Sequence, residues 1–538
     1  MDFVRNHYSD TKLRRTDEQV KKEETILGMR FNRWLMFPAA FIFQAICGSL
    51  YAWSVWNDPI DKELYGFTVV NGKQVANKHN ATVTFYIAVG FFGLSAALNG
   101  PWLERVGPRK ASLIGTTLFF IGNMVASLGI HFKLIGLVYA GYGVIGGAGL
   151  GLSYISPVSA LQKWFPDRRG IAGGFAVCGF GAGSIALAKV PIPLANAVGL
   201  TNCFITLGCS YFAVMVLCCL VFRTPPPGFT VNGMDMYRNK VDHNGDVEAF
   251  KPKDSSDIEN PAARMTLTDS IFSREYRLIY IMFFGNSIAG LVFLSRLANI
   301  IGDIFGKDAN TATTIVSING GFNLAGRMFF AAASDRLGRK NAYIVMLAAQ
   351  VIILATLPTL METRNYPAFL AFIWILTACY GGGFGSIPAF LCDMFGPTNI
   401  GALHGIILTA WSIAGVGGGL LFTFIYNNLL AEGYTVRDTW IYAKNLYWIL
   451  GVAAVGFLFI LVVRTSTRDR FLPPVDGEFT RIRIFGRLIR LGSFGVKVVS
   501  KEQEEAEWTA YANSRSASPD TLRGVSYGDK TELEEEHK

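Results

Sequence analysis

Charged residues are scarce in this sequence for its length. Of 538 residues, only 17% are Asp, Glu, Lys or Arg, whereas 51% are apolar. A soluble chain of this size would fold into several domains, and each would need a charged surface. Here the charges lie at the two ends and in one central stretch. The apolar runs between them reach about 18–24 residues, enough to cross a bilayer core. The composition therefore predicts a membrane protein.

Several kinds of functional site are also missing from the sequence. The eight cysteines show no CxxC or Cys/His spacing, which indicates packing residues and no metal site. The six histidines are scattered and form no Ser-His-Asp arrangement. The glycine runs precede no Lys-Ser/Thr, which argues against a P-loop. We therefore expect no enzyme, no ATP-driven pump, no cofactor and no nucleic-acid partner.

The apolar runs predict an all-α membrane protein with twelve transmembrane helices, because open-ended segments can satisfy their backbone groups in lipid only as helices. The runs lie near residues 34–56, 83–103, 111–131, 134–156, 170–190, 202–222, 277–297, 312–333, 342–361, 367–391, 403–426 and 444–463. The predicted parts are an N-terminal segment (1–33), a six-helix half (34–223), a central loop (224–276), a second six-helix half (277–463) and a tail (464–538).

Lys and Arg predict the orientation. They are concentrated in the connections after the second, fourth and eighth runs, so these connections and both termini should be cytoplasmic. The chain shows no organelle-targeting presequence, and we expect the plasma membrane. The tail contains RIRIFGRLIRLGSFGVKVV, which predicts either an amphipathic segment on the anionic inner leaflet or a simple juxtamembrane anchor. The Ser- and Glu-rich stretch after Lys501 is expected to be disordered.

Two of the cytoplasmic connections share a motif. The first contains Gly100, Glu104, Arg105, Gly107 and Arg109, and the second contains Asp335, Arg336 and Gly338. The offset between Glu104 and Asp335 is 231 residues (335 − 104), and it recurs between Gly170 and Gly401. A six-helix half has therefore been duplicated in parallel orientation.

Two parallel halves are the layout of the major facilitator superfamily, and the shared motif resembles that superfamily's signature between its second and third helices. The resemblance implies a twelve-helix carrier that works by alternating access. A carboxylate at a helix end, such as Glu104 or Asp335, can pair with an arginine across the interface between the halves and hold an inner gate closed. The alternative is that the cations of the motif only anchor the inner side of the protein.

Spans four and ten combine dense glycine with proline. Glycines crowd residues 141–151 before Pro157, and Gly381–Gly385 precedes Pro388. Such residues let helices approach closely and bend. The pattern is consistent with static packing, but its equivalent placement in both halves favours helices that rock around a central cavity.

One cation lies where a membrane protein rarely places it. Arg327 is about two-thirds through the eighth run and has no acidic neighbour on the same helix. An arginine facing a cavity can hold a carboxylate with two parallel hydrogen bonds. The alternative is an arginine that snorkels to the inner end beside Asp335. Lys189 and Arg296 are weaker candidates, because each would lie near the outer end and attract anions into a vestibule.

A closer resemblance rests on four strings of residues. They are Tyr51-Ala-Trp53-Ser-Val-Trp56, Lys163-Trp-Phe-Pro166-Asp-Arg-Arg169-Gly170, Arg223-Thr-Pro-Pro-Pro-Gly228 and Asn323-x-x-Gly-Arg327. Together they resemble the oxalate/formate antiporter family, which is grouped with monocarboxylate porters. In that family, an Arg in span eight and a Lys in span eleven bind a dianion. The resemblance implies that Arg327 is the first cation, whereas Trp411 occupies the position of the second.

The missing second cation points to a monoanion, because a dianion would keep one buried negative charge without compensation. The resemblance also implies an aromatic cage of Tyr380 and Phe384, with Tyr51 and Tyr154 from the other half. Monocarboxylate porters carry an Asp where this chain has Asn323, so the resemblance leaves open whether a proton or an exchanged anion is coupled.

The sequence therefore predicts a monomeric secondary transporter of a small monocarboxylate. Two alternatives remain, namely a carrier of a neutral solute and a transport-inactive sensor that signals through its tail. Asn80-Ala81-Thr82 is an acceptor sequon for glycosylation in the first outer loop, close to the second span.

Overall fold

The computed structural model describes residues 7–8, 15–26, 28–70, 73–76, 80–233 and 266–516. The predicted central loop therefore lies largely outside the described residues, and so does the end of the tail after residue 516. Short pieces precede the first span, namely the helix Asp17–Glu23, the two-residue strands β1 (Thr25–Ile26) and β2 (Met29–Arg30) and a turn of 3₁₀ helix (Arg33–Leu35).

Six long helices form the first half of the bundle. They are α1 (Met36–Cys47), α2 (Thr82–Val106), α3 (Pro108–His131), α4 (Gly147–Trp164), α5 (Arg169–Ala186) and α6 (Leu200–Cys219). A 3₁₀ segment (Gly48–Ala52) and a further helix (Ser54–Tyr65) extend α1, and a π-helical stretch (Tyr139–Gly146) leads into α4. The first outer loop contains the hairpin of β3 (Phe67–Val70) and β4 (Lys73–Ala76).

The second half repeats this order. Its helices are α7 (Arg274–Asp303), α8 (Ala309–Leu337), α9 (Arg339–Glu362), α10 (Tyr366–Phe395), α11 (Ile400–Ala431) and α12 (Thr439–Val462). Ten of the twelve spans are long and apolar enough to cross a membrane by length and composition. The remaining two, α5 and α8, are less apolar, and they pack against each other at the interface between the halves. The predicted all-α, twelve-helix architecture is confirmed.

Glycine fixes the turn between helices at the same point in each half. Gly107 ends α2 with φ of 84°, and Gly338 follows α8 with φ of 85°. Side chains other than glycine rarely adopt this left-handed conformation, so both motif glycines are explained by the backbone. We call the end of the bundle that carries these turns the inner end, because the sequence predicts that it is cytoplasmic.

The tail forms a small folded unit against the inner end. Strands β5 (Glu478–Ile484), β6 (Arg487–Gly492) and β7 (Gly495–Val499) make an antiparallel sheet, and helix α13 (Lys501–Ser516) follows. Arg483 pairs with Asp469 at 2.7 Å and with Glu504 of α13 at 2.7 Å. These hydrogen bonds, that of Asp469 foremost, raise the pKa of Arg483.

The tail was therefore wrongly predicted in part. The basic residues of β5 alternate with isoleucine at a period of two, which is the pattern of a strand rather than of a membrane-surface helix. The turn at Phe485 and Gly486, both at positive φ, then closes a hairpin. The expectation of disorder is also wrong for residues 501–516, which are helical, whereas residues 517–538 lie outside the described part of the chain.

Candidate functional site

A small cavity lies at the centre of the bundle, between the two halves. Its volume is only about 10 Å³, room for about one water molecule and far below the roughly 300–1,000 Å³ of pockets that bury drug-sized ligands. The first half contributes four aromatic residues and the second half contributes Arg327, two aromatic residues and a leucine. The lining residues are Tyr51, Phe92, Tyr154, Phe180, Arg327, Phe384, Leu408 and Trp411.

Arg327 is the charged group of this cavity. It is 1% exposed, its Nε donates to Asn323 Oδ1 at 3.0 Å, and one terminal nitrogen donates to the Val177 carbonyl of the other half at 3.0 Å. The guanidinium also lies over Phe384 and Phe180, at 5.1 and 5.8 Å from the ring centroids. Arg327 therefore does not snorkel to the inner end, and Asp335 pairs with Arg339 instead.

The charge of Arg327 has no acidic partner. Among the described residues, no Asp or Glu lies within ion-pair distance of it. Within the described part of the chain, two of its five N–H groups donate to Asn323 and to the Val177 carbonyl, which leaves donors for another acceptor. A guanidinium buried in a membrane protein without a counter-charge is costly, and an anion in the cavity would remove that cost.

Hydrogen bonds link three aromatic side chains at the cavity wall. The Tyr51 hydroxyl lies 3.0 Å from that of Tyr380, and the indole N–H of Trp411 donates to the same Tyr380 oxygen at 3.2 Å. Tyr51 is placed there by Gly48, where a Cβ would lie 2.1 Å from the Phe180 carbonyl oxygen. Because that contact admits only glycine, the backbone of the first span can approach α5 closely enough to line the cavity.

The structure brings together all seven residues predicted as a binding site. Arg327, Phe384, Trp411, Tyr51 and Tyr154 line the cavity, whereas Tyr380 buttresses its wall and Asn323 orients Arg327. Sequence reasoning missed three further lining residues, Phe92, Phe180 and Leu408. Phe180 and Trp411 are 231 residues apart (411 − 180), so the internal repeat could have identified Phe180. Phe92 likewise lies 231 residues before Asn323 (323 − 92), whereas no comparable signal marks Leu408.

Glu104 connects the two halves at the inner end. Its Oε1 accepts the backbone N–H of Gly401, in the first turn of α11, at 2.7 Å, and its other oxygen pairs with Lys163 of its own half. The Ser159 hydroxyl also donates to Oε1, at 3.2 Å. The carboxylate thus lies at a helix N-terminus, where negative charge is stabilised by the helix dipole.

Asp335 makes the same connection in the opposite direction. Its Oδ1 accepts the N–H of Gly170, at the start of α5, at 3.1 Å, and it pairs with Arg339 at 2.6 Å. The structure therefore differs from the prediction in one respect. The partner of each motif carboxylate across the interface is a backbone N–H, and its arginine or lysine belongs to its own half.

A third connection between the halves is an ion pair that the sequence does not indicate. Arg169 of α5 donates to Asp393 of α10 at 2.9 Å, and Asp393 also accepts from Arg339 at 2.9 Å. The residue at the Asp393 position of the first half is Gln162 (393 − 231), so the repeat gives no hint of this pair. Together, these three contacts close the inner end, and we call them the inner gate.

The other cations of the motif lie outside the inner gate. Arg105 contacts His7 of the N-terminal segment, and Arg109 donates to the Leu220 carbonyl at the end of α6. Arg336 is exposed. Gly100 packs against α11, because a Cβ there would lie 2.5 Å from the Cα of Ala402. These arginines are therefore consistent with a role as anchors of the inner side, whereas the contacts of Glu104 and Asp335 are consistent with the predicted gating role.

The glycines of α4 and α10 pack within their own halves. A Cβ at Gly151 would lie 2.1 Å from the Phe92 carbonyl oxygen of α2, and one at Gly385 would lie 2.1 Å from the Arg327 carbonyl oxygen of α8. The favoured interpretation, in which these glycines serve movement between the halves, is therefore not supported. The close glycine contacts across the interface lie elsewhere, at Gly100 and Gly405 among others.

Gly405 offers a test of closure between the halves. A Cβ there would lie 2.1 Å from the Ala96 carbonyl oxygen of α2, so Gly405→Ala should prevent α2 and α11 from closing at the inner end. Overpacking of this kind costs about 1–3 kcal/mol, and we expect transport to fall about tenfold. Gly417→Ala is the matched control on the same helix, because no atom lies within 4 Å of its added Cβ. Equal transport by the two variants would contradict the assignment of this contact.

The remaining candidates lie away from the cavity. Lys189 is exposed beyond α5, and Arg296 donates to Thr423 at 2.7 Å at the outer end of α7. Their role in a vestibule stays a prediction. The side-chain nitrogen of Asn80, which is the atom that glycosylation modifies, donates to the Tyr65 hydroxyl at 3.1 Å, and its modification also stays a prediction.

Comparisons with known proteins agree with this architecture. The family model of the Major Facilitator Superfamily matches residues 74–419 and 279–512. The chain is 25% identical to the oxalate:formate antiporter of Oxalobacter formigenes over 74% of this chain and 87% of that protein. It is 21% identical to apicoplast pyruvate carrier 1 of Toxoplasma gondii over 63% of this chain and 68% of that protein.

Solved structures show the same fold. A double tryptophan mutant of XylE aligns with a TM-score of 0.61 at 15% identity, and the alignment covers 89% of this chain and 99% of that one. A bacterial homologue of the iron transporter ferroportin aligns with a TM-score of 0.53 at 15% identity, over 79% of this chain and 98% of that one.

Proposed function

The chain belongs to the major facilitator superfamily and is a multi-pass membrane transporter, and from that premise we propose that it carries a small monocarboxylate by alternating access. The proposal includes plasma-membrane location, cytoplasmic termini and a monomeric carrier. Arg327 is the group that would bind the carboxylate, and the inner gate would open and close the cavity on the cytoplasmic side.

The observation that carries this proposal is the buried Arg327, which has no acidic partner among the residues that the structure describes. Its free N–H groups can donate two parallel hydrogen bonds to one carboxylate, which is the preferred geometry of an arginine–carboxylate pair. Because binding would neutralise the only charge among the described residues of the cavity lining, the filled site would be less costly than the empty one. A neutral solute would leave the guanidinium uncompensated.

Two further observations favour a small monoanion over a dianion. Among the described residues, the cavity lining contains a single cation, and Trp411, which also lines the cavity, already donates its N–H to Tyr380. The second charge of a dianion would therefore face aromatic rings. The relatives named above include a carrier of oxalate and formate and one of pyruvate, which supports the carboxylate class without selecting one member of it.

Uptake into proteoliposomes tests the proposal. We would compare labelled formate, acetate, pyruvate and lactate with the dianion oxalate and with a neutral sugar. Saturable uptake of at least one monocarboxylate, with weaker uptake of oxalate and none of the sugar, is the expected result. Uptake of the sugar alone would establish the neutral-solute alternative, and uptake of no solute by folded protein would contradict transport of this class.

The tail distinguishes a carrier from a sensor. It packs against the inner end, where Arg470 donates to the Met394 carbonyl at 3.3 Å and Phe485 N–H donates to Asn341 at 3.2 Å. A chain that ends after residue 480 loses most of the sheet and α13 but keeps the cavity and the inner gate. A carrier should then retain saturable uptake within about threefold, because no residue of the cavity is altered. If neither the full-length nor the truncated protein transports any solute, and truncation abolishes signalling, the sensor alternative would be favoured.

A further inference from the structure

One buried ionisable side chain near the cavity is not explained by anion binding. His404 of α11 is fully buried, and its ring lies 5.7 Å from that of Tyr154, which lines the cavity. Within the described part of the chain, neither ring nitrogen of His404 has a hydrogen-bond partner. A histidine that serves only for packing would be expected to have at least one nitrogen paired, because leaving a buried polar group unsatisfied is costly.

The position of His404 on α11 places it between the cavity and the inner gate. Gly401, whose N–H binds Glu104, is one turn towards the inner end, and Leu408, which lines the cavity, is one turn towards the centre. At 3.6 residues per turn these three residues share one face of the helix, about 4.5–6 Å apart along its axis. When the Glu104–Gly401 contact opens, His404 is therefore among the first groups below the cavity that cytoplasmic water reaches.

We propose that His404 is the proton-binding group of this carrier, so that one proton travels with each monocarboxylate. This inference rests on the proposed function. Histidine is suited to the role because its unperturbed charge change lies between pH 5 and 8. A ring nitrogen would take a proton from water on one side of the membrane and release it to water on the other.

The charges of the cavity support this stoichiometry. The empty carrier has the charge of Arg327, and His404 is neutral. The loaded carrier has Arg327, a carboxylate and protonated His404, so the net charge of the site is +1 in both forms. The loaded and the empty carrier would then change between the outward-open and inward-open states with the same charge inside the bilayer, where an additional charge is costly.

Other groups around His404 are less suited to this role. The titratable or charged side chains of the elements packed on α11, or across the cavity from it, include Glu104 of α2, Tyr154 and Lys163 of α4, Asp269 before α7, Tyr276 and Tyr280 of α7, Arg327 of α8, Tyr380 and Asp393 of α10, and Tyr442, Lys444 and Tyr447 of α12. Asp393 is bound to Arg169 and Arg339, Tyr442 donates to Asp303, and Lys444 and Tyr447 are exposed. Glu104 is already bound to Gly401 and Lys163 in the inner gate. Tyr276, Tyr280 and Tyr380 have hydrogen-bond partners. Asp269 is exposed, and Asn323 beside Arg327 does not titrate.

Two transport modes separate this role from anion binding. Exchange of labelled for unlabelled monocarboxylate, without a pH gradient, requires no net proton movement, whereas accumulation driven by an inward proton gradient does. For one proton per anion, a gradient of about one pH unit should drive about tenfold accumulation, since one unit corresponds to about 1.4 kcal/mol. We expect His404→Gln to abolish this accumulation and to keep exchange within about threefold of the wild type. His131→Gln, at the exposed end of α3, is the control and should retain both modes.

A dye inside the vesicles that reports pH supplies a second measurement. In the wild type, about one proton should enter with each anion. Full accumulation by His404→Gln, or net accumulation of the anion by the wild type without any proton entry, would overturn the assignment and leave the proposed function intact. If His404→Gln does not reconstitute into vesicles, His404→Asn takes its place. Loss of exchange in a variant that does reconstitute would also overturn the proposal that His404 binds only the proton. Absence of exchange in the wild type would instead refute the proposed function, and this inference with it.

Discussion

Replacing Arg327 with glutamine should reduce monocarboxylate uptake by about thirtyfold or more. The substitution keeps a polar side chain but removes the charge, and truncating one partner of a buried charged pair costs about 2–5 kcal/mol. Hydrogen bonds to Asn323 and to the Val177 carbonyl hold Arg327, and the rings of Phe180 and Phe384 flank it. The side-chain amide of the glutamine would therefore remain in the same cavity but would offer the anion no positive charge. Initial rates at several anion concentrations measure the effect.

Two controls make this result specific to the charge and its geometry. Arg327→Lys keeps the charge but loses the planar pair of donors, so it should recover part of the lost uptake. Arg296→Gln removes a half-buried cation at the outer end of α7 and should have a much smaller effect, because Arg296 bonds to Thr423 rather than lining the cavity. If Arg327→Gln transported the anion as the wild type does, the carboxylate site would have to lie elsewhere.

Replacing Glu104 with glutamine should shift the carrier towards an open inner end. Glu104 is 1% exposed in its side chain, and its loss of charge leaves Lys163 buried without a counter-charge. Breaking a buried pair costs about 3–5 kcal/mol, which would change the ratio of closed to open forms by about a hundredfold or more. Asp335→Asn should have a weaker effect, because the Asp335 side chain is 26% exposed and water already screens it.

Spin labels at the inner end can measure this shift. Arg168 and Arg336 are exposed and lie in opposite halves, so labels at these positions report the separation of the halves. Exposed Cys209 would first be replaced with serine to avoid an unwanted label. We expect a longer distance in Glu104→Gln than in the parent protein and an intermediate distribution in Asp335→Asn. An unchanged distance in both variants would show that the inner gate does not depend on these carboxylates.

Much of the architecture could be predicted from the sequence because a membrane restricts it strongly. Apolar runs identified twelve helices, and the 231-residue repeat identified two halves and placed Glu104 and Asp335 at equivalent positions. Part of the cavity lining could also be predicted from the sequence. An arginine inside a span has few roles other than a functional one, and the family resemblance supplied its aromatic neighbours. Arg327, Tyr51 and Trp411 converge as that resemblance implied.

The remaining features depend on packing that no sequence pattern encodes. The partners of Glu104 and Asp335 across the interface are backbone N–H groups at Gly401 and Gly170, and backbone donors are the same in every residue except proline. The pair of Arg169 and Asp393 joins the two halves, and the equivalent positions, Ile400 and Gln162, cannot form such a pair, so the repeat could not reveal it. The tail was misinterpreted because its basic residues suggested a lipid surface, whereas their spacing of two residues indicates a strand.

The measurement that tests the central claim most directly is equilibrium binding of a transported monocarboxylate to the purified protein, in competition with its amide. Lactate and lactamide, for example, have nearly the same shape, but only lactate carries a charge. If the charge of Arg327 selects the substrate, the amide should compete at least about thirtyfold less well than the acid. Equal competition by the two compounds would contradict the account, because it would show that the cavity recognises shape rather than the negative charge of a carboxylate.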